Sequence, residues 1–150
     1  MMTKFLGSFA LAAMTFAVAP HALKAADAGG LCPLGTATLR GTYMVIGGGT
    51  IVGVGPTTAV GTINFDGKGN SVNPFTVSAN GVISRGLVTG PYTVNSDCTC
   101  TLTQSDGTHY DQVIAPDGSR FNWIETDAGT VISGTAIRLA QEVSQGIGMR

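Results

Sequence analysis

Charge is scarce in this 150-residue chain: Asp, Glu, Lys and Arg together make up 11% of it, and the eight Lys and Arg residues are spread singly. Binding a phosphate backbone needs grouped cations that release counterions, so a nucleic-acid partner is excluded. A membrane-spanning helix needs about 20 apolar residues. The longest apolar run, Phe5–Val18, is shorter than that, is interrupted by Gly7, Ser8 and Thr15, and breaks at Pro20-His21, which excludes a stable membrane anchor. The turn Asp66-Gly67-Lys68-Gly69-Asn70 opens like a calcium loop but lacks the bidentate Glu expected further on, because residue 77 is Val. The run Gly47-Gly48-Gly49 has neither the strand-to-helix context nor the Lys of a phosphate cradle. Three cysteines without a fourth ligand make a poor zinc site. No cofactor or metal is therefore expected.

What is present begins with a basic start, Met1–Lys4, followed by the apolar run and by small residues at Ala25, Ala26 and Ala28, the pattern of a secretory signal peptide over 1–26. Its removal leaves about 124 residues with six basic against nine acidic side chains, a net charge of −3. That length suits one domain with a single core. In an oxidising compartment an odd cysteine count reads as one disulfide and a spare thiol. Cys98 and Cys100 are i and i+2 on an extended stretch with parallel Cβ directions, which disfavours a bridge between them. Cys32–Cys98 is the preferred pairing.

After a lead over 27–37, the chain repeats one theme, a short β-rich run followed by a Gly/Asp/Asn turn. Strands are expected over Thr38–Gly47, Thr57–Phe65, Ser71–Ser78, Val82–Val88, Tyr92–Val94, Thr99–Thr103, Thr108–Ala115, Ser119–Thr126 and Thr130–Leu139. The glycine run should end the first strand, with Ile51–Gly55 a flexible loop or irregular edge before Pro56. Ala79-Asn80-Gly81 reads as a tight turn or as a bulge in one long strand. Helical spacing of apolar residues occurs only weakly at the end, so 140–150 is read as a short helical turn or frayed tail. Eight or nine strands in a meander leave two edges, and closing the sheet removes them. The expectation is an all-β domain over 38–139, an antiparallel up-and-down barrel of about eight strands, with a two-sheet sandwich as the alternative.

Leu39-Arg40-Gly41-Thr42-Tyr43, Phe65-Asp66-Gly67-Lys68-Gly69-Asn70, Tyr92-Thr93-Val94-Asn95-Ser96-Asp97-Cys98 and the closing Gly129-Thr130, Ser133-Gly134-Thr135 and Arg138 resemble segments of small exported bacterial proteins without an assigned activity. The resemblance spans about Cys32–Leu139 and implies a calycin-like barrel, related in shape to lipocalins and allene oxide cyclase. Its motifs are turn and strand signatures, which speak to fold more than to activity. Lipocalins carry Gly-x-Trp on the first strand with an Arg of the last strand packed across it. Gly41-Thr42-Tyr43 and Arg138 are similar to that closure, with Tyr in place of Trp. Such proteins have Gly where Cys100 stands, which supports the Cys32–Cys98 bridge. Barrels of the allene oxide cyclase type also assemble into multimers, so an oligomer is compatible with the resemblance.

The candidate interior comes from strand alternation. Ile63, Phe75, Val77, Leu87, Phe121 and Trp123 are expected to line a ligand cavity. Arg85 shares a face with Ile83 and Leu87 and, if that face is internal, needs a partner, since an unpaired buried charge is costly. Glu125, on the face of Phe121 and Trp123, or a ligand carboxylate would supply it; the other reading places these charges in solvent at a strand end. His109 and Asp111 share one face and Tyr110 and Gln112 the other, so only one pair can be internal. A His beside a carboxylate suits acid–base work, but no Ser or Cys nucleophile accompanies it. Three functions follow: a secreted or periplasmic barrel binding a small apolar or amphipathic ligand, a cyclase or isomerase on the same barrel, or a structural or adhesive exported module with a filled interior.

Overall fold

The computed structural model describes residues 29–140. The expected signal peptide and the tail over 141–150 lie outside the described residues. Eight antiparallel strands, β1 (Arg40–Ile51), β2 (Gly55–Asp66), β3 (Asn70–Ala79), β4 (Val82–Val94), β5 (Thr99–Thr103), β6 (His109–Ile114), β7 (Arg120–Glu125) and β8 (Thr130–Arg138), follow one another in space as in sequence. β8 returns to β1, pairing Tyr43 with Arg138 at one end and Ile51 with Thr130 at the other. The sheet is thus a closed barrel, and the sandwich alternative is set aside.

Turn chemistry explains the connections. Asn80 and Gly81 both take positive φ, 48° and 86°, as a two-residue hairpin turn requires, so Ala79-Asn80-Gly81 is a turn and not a bulge. Asp97, Asp106 and Asp117 each accept from the backbone N–H two residues on and from the hydroxyl of that same Thr or Ser, one Asx-type device used three times. The Asp66 carboxylate accepts from the backbone N–H of Lys68 and Asn70 and from the Asn70 side chain. These bonds, the Asn70 side chain foremost, hold its pKa down to about 2. The carboxylate is therefore committed to its own turn.

Two strand boundaries depart from the sequence expectation. β1 does not stop at Gly47 but continues through Gly48 and Gly49 to Ile51, so that only Val52–Val54 separates it from β2. Close approaches account for these glycines: a Cβ at Gly47 or at its cross-strand partner Gly134 would collide with the indole of Trp123, and one at Gly48 or Gly49 would meet the backbone carbonyl of Thr57 or Val131. Val82–Val88 and Tyr92–Val94 are a single strand, β4, which reduces the count to eight.

The barrel has two unlike ends. At the end carrying the β2–β3, β4–β5 and β6–β7 turns, a 3-10 helix, Gly35–Thr38, and Leu39 lie against the strands as a plug. The Cys32–Cys98 disulfide fastens this lead, with the Cys32 N–H donating to the Ser96 carbonyl at 2.9 Å. Behind the plug, Tyr43, Phe65, Tyr92 and Phe121 form a fully packed aromatic cluster, with ring centroids 4.7–5.8 Å apart around Phe65. Tyr43 is wholly buried; its hydroxyl donates to the Gly118 carbonyl at 2.6 Å and accepts from Arg138 Nε and Nη2 at 3.0 and 2.8 Å. Arg138 Nη2 also donates to the Thr38 carbonyl. The guanidinium carbon is 5.4 Å from the Tyr43 ring centroid, but both N–H groups are aimed at the phenol oxygen. Where an Arg against Trp would stack, this pair hydrogen-bonds.

At the opposite end the wall is uneven. Strands β1–β4 have 10–13 residues, whereas β5–β7 have 5 or 6. β4 pairs with β5 only over Tyr92–Val94, so among the described residues Val82–Val88 have a ladder partner on the β3 side alone.

Candidate functional site

Alternation decides what this half of the barrel encloses. Inward positions carry Val45 on β1, Ala59 and Ile63 on β2, Asn73, Phe75 and Val77 on β3, Leu102 on β5, Tyr110 and Gln112 on β6, Phe121, Trp123 and Glu125 on β7 and Ile132 on β8. Above the aromatic cluster they surround a cavity of about 420 Å³ that opens at the uneven end, where Gln104, Asp106 and Thr108 of the β5–β6 turn form its low rim. The volume falls within the range of small-molecule sites, about 300–1,000 Å³. Small residues create the space. Gly86 sits opposite Phe75, and a Cβ there would meet the Phe75 ring at 2.8 Å, so the ring lies across the glycine instead of filling the barrel. Gly47 and Gly134 do the same for Trp123.

Ile63, Phe75, Val77, Phe121, Trp123 and Glu125 all face this space. Arg85 and Leu87 do not, and their placement inside is corrected: both are exposed on the outer wall, Leu87 at 63%. The parity of β4 is fixed by its far end, where Val88, Tyr92 and Val94 are buried in the core. The same alternation carried back to the start of the strand turns Ser84 and Gly86 inward and Ile83, Arg85 and Leu87 outward. The more apolar face of this segment is thus its outer one, which defeats reasoning from hydrophobicity. It follows that Arg85 is no partner for Glu125.

Polar groups inside are few. Gln112, 4% exposed, has no hydrogen-bond partner for its Oε1, and Trp123, directly opposite on β7, has none for its Nε1. Tyr110 packs edge-on against Trp123, centroids 5.5 Å apart and planes at 82°, and burial pushes its phenol pKa up. Glu125 lies opposite Tyr110 in register. Burial first, then repulsion from Asp127 and Asp106, raises its pKa. The only contact between a basic and an acidic side chain among the described residues, His109 Nδ1 to Asp127 Oδ1 at 2.7 Å, is on the outside and involves neither Glu125 nor Asp106. His109 also donates its backbone N–H to Asp127, and the His109 ring and N–H together lower the Asp127 pKa. His109 and Asp111 are therefore outward and Tyr110 and Gln112 inward.

Cys100 is a free, buried thiol on the inner face of β5, and burial pushes its pKa up to about 12, which makes it a small hydrophobe and not a nucleophile. Among the described residues no group of three or more His, Cys, Asp or Glu could hold a metal ion. The inward residues that hydrophobicity did not select, Asn73, Ser84, Gln104 and Gln112, were marked only by strand parity, once one buried residue per strand is known.

No family model and no curated protein matches the chain. Among solved structures it is similar to a de novo designed fluorescence-activating β-barrel, with 16% identity and a TM-score of 0.43 over 68% of this chain and 94% of that one. At that distance the likeness says nothing about function.

Proposed function

We propose that the protein is an exported, calycin-like barrel that binds one small apolar or amphipathic molecule in its interior. The observation that carries this reading is the cavity itself: a barrel packed solid and plugged at one end is left hollow and open at the other. Apolar walls supply affinity by burial, and the few polar groups fix orientation. Export is supported by the basic start and apolar run at the N-terminus and by the Cys32–Cys98 disulfide, which persists in oxidising compartments. N-terminal sequencing of the protein recovered from its host tests it: a chain beginning near residue 27 is expected, and one retaining Met1 or Met2 in an exported fraction would contradict cleavage.

Binding is tested with the neutral probe N-phenyl-1-naphthylamine. Trp123 is the single tryptophan and lines the cavity, so a probe bound there quenches its emission by energy transfer. Saturation at one probe per chain is expected. Ala59→Phe, which places a phenyl group in the cavity from mid-strand β2, should abolish it while leaving the far-ultraviolet circular dichroism unchanged. Probe binding that survives Ala59→Phe would place the site elsewhere.

A further inference from the structure

Taking the cavity as a ligand site, we infer that its ligand is an amphipathic amine, whose protonated head sits at the open end beside Glu125 and whose apolar body occupies the barrel. The charge on the lining has one sign. Among the described residues, Glu125 and Asp106 are the only acidic side chains that line the cavity, and no Lys, Arg or His does. Neither carboxylate has a cationic partner among the described residues. Asp106 spends one oxygen on the Thr108 N–H and hydroxyl, while Glu125, half-buried, makes no hydrogen bond there. A partly desolvated carboxylate without a partner is costly on its own and is relieved by a cation.

The surroundings suit that cation. Tyr110, opposite Glu125, and Trp123, two residues before it on the same face, set their rings at 82° to one another, giving two aromatic walls next to the carboxylate. Aromatic faces beside an acid are the usual means of holding an ammonium group. Below them the Gln112 Oε1, buried and unpartnered, is an acceptor that an amine N–H can satisfy. A carboxylate head would instead meet two like charges and no cation, since the donors of the lining are neutral amides, hydroxyls and the Trp123 N–H.

The inference rests on the reading of the cavity as a ligand site, and a single competition experiment separates the two. Decylamine, 1-decanol and decanoate, equal in chain length and differing in head charge, are each titrated against bound N-phenyl-1-naphthylamine at neutral pH, below their micellar concentrations. Decylamine is expected to displace the probe at a concentration lower than decanoate by about tenfold or more, with decanol between them. In Glu125→Gln the amine should lose most of that advantage while decanol is unchanged. A probe that binds but is displaced equally by all three, or best by decanoate, overturns the amine inference and leaves the binding barrel standing. The same holds if Glu125→Gln keeps the order intact. A probe that does not bind the wild-type protein removes both.

Discussion

Replacing Gln112 by Leu should make the protein more stable and a poorer binder. Gln112 is buried at 4% exposure, its Oε1 has no partner, and the residues opposite it in the two neighbouring strands are Cys100 and Trp123. An unpaired buried polar group costs about 1–3 kcal/mol. Leucine is of similar size, removes that cost, and adds apolar contact with a wall that is already mostly apolar. A gain of about 1–3 kcal/mol is expected, and for a domain of this size each 1 kcal/mol raises Tm by about 4 °C. Urea unfolding followed by far-ultraviolet circular dichroism should show a higher midpoint with an unchanged slope, since the surface exposed on unfolding is nearly the same. Affinity for decylamine should fall in the same variant, because the acceptor is gone. A loss of stability greater than about 1 kcal/mol would refute the reasoning, since it would mean that the amide was already hydrogen-bonded in the unliganded protein.

At the closed end the opposite sign is expected: Tyr43→Phe leaves the Gly118 carbonyl and the Arg138 Nε without their partner and should cost about 2–4 kcal/mol in the same urea assay. Arg85, reassigned to the outer wall, interrupts an edge where Val82, Ile83 and Leu87 are exposed, so Arg85→Val should promote self-association visible by sedimentation velocity, and a strictly monomeric variant would contradict that role. With its pKa pushed up to about 12, the Cys100 thiol should resist iodoacetamide in the native protein and react once guanidinium unfolds it; native labelling would contradict its burial. Asp66 titrates lower in the folded chain, at about 2 against 3.8, so its contribution to stability is complete above pH 3.8 and is lost as pH falls through about 2. Asp66→Asn should flatten the acid limb of the urea midpoint between those values, and an unchanged limb would show that the turn does not hold the carboxylate.

The eight-strand closed barrel was legible because its signals are local. Each Asx-type turn announces itself by an Asp two residues before a Thr or Ser, and β5–β8 alternate cleanly once Cys100, Ile114, Phe121 and Ile132 are placed inside. Closure through Tyr43 and Arg138 could be anticipated only from resemblance, and the hydrogen bonds from Arg138 to the phenol oxygen that make it were not legible. What escaped was non-local. Gly47–Gly49 reads as a terminator in sequence, yet it is strand, paired on both sides with β2 and β8, and Gly47 leaves the room that the Trp123 indole, far along the chain, takes up. Gly86 likewise makes sense only with Phe75 laid over it. The face of Arg85 was misread because β4 turns its apolar side outward near the mouth, where the inner side is kept small. Gln112 was one of two indistinguishable choices until packing chose for it.

The proposed ligand site is the open half of the barrel. The measurement that bears on it most directly is a crystal structure of the protein with decylamine. Chain density between Phe75 and Trp123, with the nitrogen within hydrogen-bonding reach of Glu125, is the expected result. An amine found only on the outer wall, or an interior closed over by Phe75 and Trp123 with no room left, would contradict it.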